Sequence, residues 1–217
     1  SNRDLVWYPA EVNLSIRPGW FYHPEEDTAV KSAETLFSLY RKAVGGNAVF
    51  LLNVPPMPNG AIHPKDQQSL MQLGQYLRPL QTDQPLYQGQ ITASSQKSPW
   101  DQESLQKVTS SKKTYWQPAD NDHEPWVTVT FAQPTQINTV ILQEEIRESQ
   151  RIEKAVLYYE KDGKDCFLAE CGTVGYKKII DVDPVTTKRI KVVFLAYRQY
   201  PTIKKFYVRF LEKRASK

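Results

Sequence analysis

The chain has 217 residues, 28 Lys and Arg against 24 Asp and Glu, 40% hydrophobic and 24% charged residues. That is the composition of an ordinary globular protein with room for one large domain or one and a half small ones. No apolar run reaches the ~18 residues that a bilayer span needs, and the start lacks a charged-then-apolar leader. Through Leu80 seven basic residues balance seven acidic ones, so the later part carries the whole net charge of +4, a solvated surface rather than a nucleic-acid patch.

The first informative stretch runs from Trp7 to His23. Glu11, Asn13, Ser15 and Arg17 alternate with Val12, Leu14 and Ile16, the period of a strand with one polar and one apolar face. Arg17-Pro18-Gly19-Trp20 then turns the chain, delivering an arginine, three aromatics and a histidine within seven residues. Flat apolar faces beside charged donors are the mixture that grips a sugar, so this is the first candidate site.

Asp27 or Thr28 can cap a helix whose apolar positions Val30, Ala33, Leu36, Phe37, Tyr40 and Val44 make one stripe, ended by Gly45 and Gly46. Ala48 to Val54 is broken only by Asn53, the pattern of a parallel strand covered on both faces. A second helix starts at Pro64, places Leu70, Leu73 and Leu77 on one side and closes before Pro79. Strand, helix, strand, helix is the repeat of a parallel α/β fold, and in a (β/α)-barrel the loops after the strands share the active-site rim. Arg17, Trp20, His23 and Asn53 would meet there. A closed barrel needs eight strands, so residues 1–80 predict the last β/α units of an incomplete barrel, with an unpaired edge and an uncovered apolar face.

Residues 81–90 turn polar and predict a linker. From 91 to 217 short alternating segments recur: Trp126 to Phe131, Ile137 to Gln143, Glu153 to Glu160, Cys166 to Glu170, Lys178 to Val182, Arg189 to Ala196 and Phe206 to Leu211. Turns such as Asp162-Gly163 and Asp183-Pro184 separate them, and no helix stands out. Seven strands so spaced predict an antiparallel β-sandwich. Cys166 and Cys171, five apart on one strand, point to opposite faces and predict two small packed residues, neither a disulfide nor a metal site.

The run W-Y-P-A-E-V-N-L-S-I-R-P-G-W-F-Y-H, with V-K-S, S-L-Y-R-K-A-V-G-G-N-A, F-L-L-N-V-P-P and N-G-A-I-H after it, resembles the end of the catalytic domain of family twenty-nine glycoside hydrolases, the α-L-fucosidases. It is most similar to the branch preferring α-1,3/1,4-linked fucose. The second part resembles the discoidin-like, coagulation-factor type C sandwich through Y-W-Q-P at 115–118, E-P-W-V at 124–127, Q-E-E-I and Q-R-I within 143–152, G-T-V-G-Y-K-K at 172–178 and K-R-I-K-V at 188–192.

The resemblance implies a retaining exo-fucosidase acting on fucosylated oligosaccharides, which needs two carboxyl groups about 5 to 5.5 Å apart. The family's nucleophilic aspartate lies on an earlier barrel strand that nothing here matches. The chain alone is therefore expected to be inactive, its partner being the missing amino-terminal part of the catalytic domain. Family analogy also implies an extracytoplasmic protein. Glu11 is the one acid placed near the chemistry, as acid/base, as a contact to the sugar beside fucose, or in an ion pair with Arg17. Trp7, Arg17, Trp20 and His23 are the expected substrate contacts, with core packing open for Trp20 and bracing of the Pro18-Gly19 turn open for Arg17. Asn53 is expected to hold the Pro55-Pro56 turn.

In the sandwich, Trp116 and Trp126 read as core. Trp100, His123, Arg147 and Arg198, with Tyr197 and Tyr200, are candidate glycan contacts because they fall in expected loops. Carbohydrate-binding relatives often carry an Asp-Gly calcium loop before the Tyr-Trp pair. Residues 105–113 here read L-Q-K-V-T-S-S-K-K, so no metal or other cofactor is expected. Two further readings stand beside the enzyme: a sandwich that binds glycans independently, and one that only braces the catalytic domain.

Overall fold

A computed structural model describes residues 8–83, 89–107, 110 and 113–212. Strand β1 (Ala10–Ser15) pairs in parallel with β2 (Ala48–Asn53), in register from Ala10 with Ala48 to Ser15 with Asn53. Between them lies α1 (Ala33–Val44), and α2 (Pro64–Gln81) follows β2. Ser32 caps α1, its hydroxyl accepting from the Thr35 N–H at 3.2 Å. The helix thus starts later than the expected cap at Asp27 or Thr28, and Asp27 pairs with Arg17 instead. His63 caps α2, which continues through Pro79 to Gln81 rather than closing before it.

One face of the β1–β2 pair packs on α1, where Leu36 and Phe37 are fully buried and the Phe37 ring meets Tyr76 of α2 in a tilted contact at 5.6 Å. The other face carries Glu11, Asn13 and Ser15 beside their partners Val49, Leu51 and Asn53. Val49 and Leu51 are nearly half exposed. The expectation of a β2 covered on both faces therefore fails for this chain, and the uncovered apolar face that two lone barrel strands predict is what stands there.

The second part is one antiparallel sheet folded over its own core. Its strands are β3 (Gln90–Ala93), β4 (Trp126–Gln143), β5 (Ile152–Lys161), β6 (Lys164–Cys171), β7 (Lys178–Tyr197) and β8 (Lys205–Arg209), with a short helix α3 (Gln102–Gln106) after β3. The order is β3-β4-β7-β5-β6, with β8 on β4. Each of β4 and β7 joins two of the expected strands. The first half of β4 pairs with β3 and the end of β7, the second half with β8 and the start of β7, so both strands pass from one layer to the other. Trp116 lies wholly buried in the core between them, stacked on Phe194 at 5.8 Å.

The two parts share a second cluster. Ile16, Leu36, Phe37, Leu73 and Leu80 pack against Ile141 and Tyr207 of the sheet and Leu211 just beyond it. Arg41 of α1 pairs with Asp181 of β7. Asn47 accepts from the Tyr176 N–H, and Gly175, at φ +56°, leaves the room that Asn47 occupies.

Candidate functional site

The β1 strand ends at Ser15, so the alternation that assigns Arg17 to the polar face stops short of it. Ile16 is buried and donates its N–H to the Asn53 carbonyl at 2.9 Å, and Arg17 is wholly buried in the turn beyond. Its guanidinium donates from Nε to Asp66 Oδ2 and from Nη1 to Asp27 Oδ1, both at 2.9 Å, and from Nη1 to the His23 carbonyl at 3.4 Å. It also lies 4.8 Å over the Tyr22 ring. Burial works against the charge, but the Asp66 and Asp27 carboxylates outweigh it and hold the Arg17 pKa above its ordinary value. Arg17 therefore braces the loop and pairs with neither Glu11 nor solvent.

Trp20 is 51% exposed at the tip of that loop. Its carbonyl accepts from Asn53 Nδ2 at 2.9 Å, and the same amide reaches Ser15 Oγ at 3.1 Å. Asn53 is thus structural, as expected, but it holds the Trp20 loop. His23 is exposed, with Nδ1 3.9 Å from Glu25 Oε1. Glu11 is exposed on the open strand face. Trp7 lies outside the described residues. The site is one carboxylate and two asparagines on an open sheet face, with the buried Ser15 at its end and an exposed indole and an exposed imidazole on the loop at its rim. A carboxylate, side-chain amides and a flat apolar surface are present, and among the described residues this face carries no second carboxylate.

The four sandwich candidates do not converge. Arg198 lines a cleft of about 590 Å³ with Lys97, Asp120, Arg151, Tyr197 and Tyr200. The two tyrosine rings stack at 6.0 Å and Arg198 pairs with Glu153 at 2.6 Å. Arg147 lines a second cleft, where a double hydrogen bond to the buried Glu145 at 2.8 Å ties it down. His123 borders a third, beside Trp126. Trp100 packs on the core edge and donates Nε1–H to Gln96 at 2.6 Å. Cys166 and Cys171 are both free thiols, and burial pushes Cys171 up to about 11.

Sequence reading missed Asp122, which ties the end of β3 to the start of β4. Asp122 accepts from the Ser94 and Ser95 hydroxyls at 2.5 Å and from the Glu124 N–H at 3.1 Å. An aspartate two residues before a backbone donor is an Asx turn, the local signal that marks it.

A family model described as F5/8 type C domain matches residues 90–206 and one described as Alpha-L-fucosidase matches residues 3–80. The chain belongs to the F5/8 type C family, joined to an alpha-L-fucosidase segment. Alpha-L-fucosidase 1 of Arabidopsis thaliana is 30% identical over 204 residues, which are 91% of this chain and 40% of that protein. A rice protein (Oryza sativa subsp. japonica) named for the same activity is 30% identical over 203 residues, 92% of this chain and 39% of its own length. A solved Bacteroides thetaiotaomicron structure named for it superimposes with a TM-score of 0.84 at 29% identity, covering 94% of this chain and 45% of that one. The chain spans about two fifths of the curated relatives it matches. No helix among the described residues is long and apolar enough to cross a membrane.

Proposed function

We propose that this chain is the carboxyl-terminal segment of a retaining exo-α-L-fucosidase that removes terminal fucose from oligosaccharides or glycoconjugates. The carrying observation is the open β1–β2 face with the Asn53-tied Trp20 loop at its rim, lying within the fucosidase match. Glu11 supplies a proton or a hydrogen bond at the sugar next to fucose, Trp20 a stacking face and His23 a subsite contact. The attacking carboxylate comes from the amino-terminal part of the catalytic domain. The F5/8 type C domain braces α1 and α2 from behind through the shared cluster around Leu36, Ile141 and Tyr207. The branch reading is α-1,3/1,4-linked fucose, and an extracytoplasmic location accords with glycan substrates.

Co-expression with the complementary amino-terminal segment tests this. Cleavage of a fucosylated trisaccharide is expected from the complex and none from the chain alone; a folded complex without activity would overturn the reading.

A second reading has its own observation, the cleft with stacked Tyr197 and Tyr200 beside Arg198. There the sandwich binds glycans as a module. Calorimetric titration of the chain with fucose, galactose and Lewis-type oligosaccharides should give heat that Arg198→Ala abolishes if this holds.

A further inference from the structure

The loop from Pro18 to Glu26 carries Trp20 and the 78% exposed Phe21 into solvent. Exposed aromatics contribute little to ordering a loop, and ordering its backbone costs conformational entropy, so something else must hold it. One guanidinium reaches it at two residues and joins its two flanks. Arg17 stands at its base, Tyr22 and the His23 carbonyl lie near its end, and Asp27 follows it. Asp66 then ties the same guanidinium to the first turn of α2. His63, the residue that caps α2, faces Asp27 from the other side, with Nε2 3.4 Å from Oδ2. Lys31 adds a strap from below, donating to the Ser15 and Arg17 carbonyls at 2.8 and 3.2 Å.

We propose that Arg17 is the positioning residue of the sugar-facing loop: it sets where Trp20 and His23 stand above the Glu11–Asn53 face without touching the sugar. The assignment rests on the reading of that face given above. Its chemical basis is the planar fork of arginine, which directs separate donors at Asp66 and Asp27 while its flat face lies on Tyr22. A lysine at this position keeps the charge and loses the geometry, since one ammonium on a flexible stem has no plane to share among two carboxylates and a ring.

The test uses the whole chain labelled with 5-fluorotryptophan and read by fluorine NMR. Of the five tryptophans, Trp20 is assigned by Trp20→Phe, and Trp116, buried in the sandwich core, reports on global folding. In Arg17→Lys the Trp20 line should shift or broaden while the Trp116 line stays in place. An unmoved Trp20 line in a folded Arg17→Lys protein overturns the proposal. If Arg17→Lys loses the Trp116 line as well, Asp27→Asn, which removes one partly exposed partner, decides by the same criterion. No sugar enters the measurement, so its failure is separate from failure of the fucosidase reading.

Discussion

Arg209, the last residue of β8, donates from Nε to the Pro79 carbonyl at 2.9 Å and so closes the far end of α2. Its Nη2 reaches the Thr82 carbonyl at the same distance, and the side chain is 2% exposed. A positive charge at a helix C-terminus is favourable in itself. Here the charge comes from the sandwich, so it joins the two parts of the chain. Arg209→Met should cost about 2–4 kcal/mol, the value of losing charge-assisted hydrogen bonds made by a buried guanidinium. Far-ultraviolet circular dichroism and tryptophan fluorescence should still report one coincident urea transition, moved to lower midpoint. Two separated transitions in the parent chain would show that the parts do not unfold together.

Glu144 organises the end of the sandwich. Its carboxylate accepts from the Arg151 and Ile152 N–H groups at 2.7 and 3.0 Å and from the Gly175 N–H at 2.6 Å, with 1% exposure. Glu144→Ala leaves three buried donors without this acceptor, at about 1–3 kcal/mol each, so a loss of at least about 3 kcal/mol is expected by denaturant unfolding. Glu144→Gln keeps one oxygen for two of the donors and turns an N–H donor toward the third, so its loss should be smaller than that of Glu144→Ala. Equal losses for the two variants would contradict this.

What local pattern could show and what it could not is clearest at two prolines. Pro134 and Pro184 sit within β4 and β7, where alternation and the Asp183-Pro184 pair predict breaks. Both fall where the ladder skips residues: Thr130 and Thr135 bracket one irregularity, and Asp181 and Val185, paired with Thr139 and Ile137, bracket the other. A proline lacking its N–H is tolerated in a bulge, so the strands run through. The helix stripes, the parallel pair and the uncovered face were readable because each depends on near neighbours. Arg17 was not, since its partner Asp66 is forty-nine residues away and only the folded chain brings the carboxylate beside it. The spread of Arg147, His123 and Arg198 over three clefts was hidden for the same reason. Loop membership says that a residue can reach solvent, not which neighbours share its cleft.

Asp122 gives an acid-side prediction. Burial pushes its carboxyl up, but the bonds from Ser94, Ser95 and the Glu124 N–H outweigh it and leave the pKa below the ordinary value of 3.8. A depressed carboxyl contributes stability that is fully present above the unfolded value and is lost as pH falls through the folded one. Unfolding midpoints of the parent chain should therefore drop below about pH 4, and Asp122→Asn should show a shallower drop over the same range. Identical acid limbs would remove Asp122 from the account of how β3 is tied to β4.

Lys205 gives the opposite case. Its ammonium, on a residue only 4% exposed, donates to the carbonyls of Ser104 at 2.7 Å, Ser110 at 3.1 Å and Lys107. Burial pushes it down to about 8, with Lys204 adding to the effect and Asp83 and Asp101 opposing it. Between about pH 8 and the free-lysine value of 10.5 the unfolded chain then binds more protons than the folded one, so stability rises with pH across that window. The parent chain should show an increasing urea midpoint from pH 8 to 10 relative to Lys205→Met, which carries no titrating group there. Three carbonyl acceptors favour the charged form, and a parent curve that stays flat or falls against Lys205→Met would mean that their grip on the proton exceeds the cost of burial.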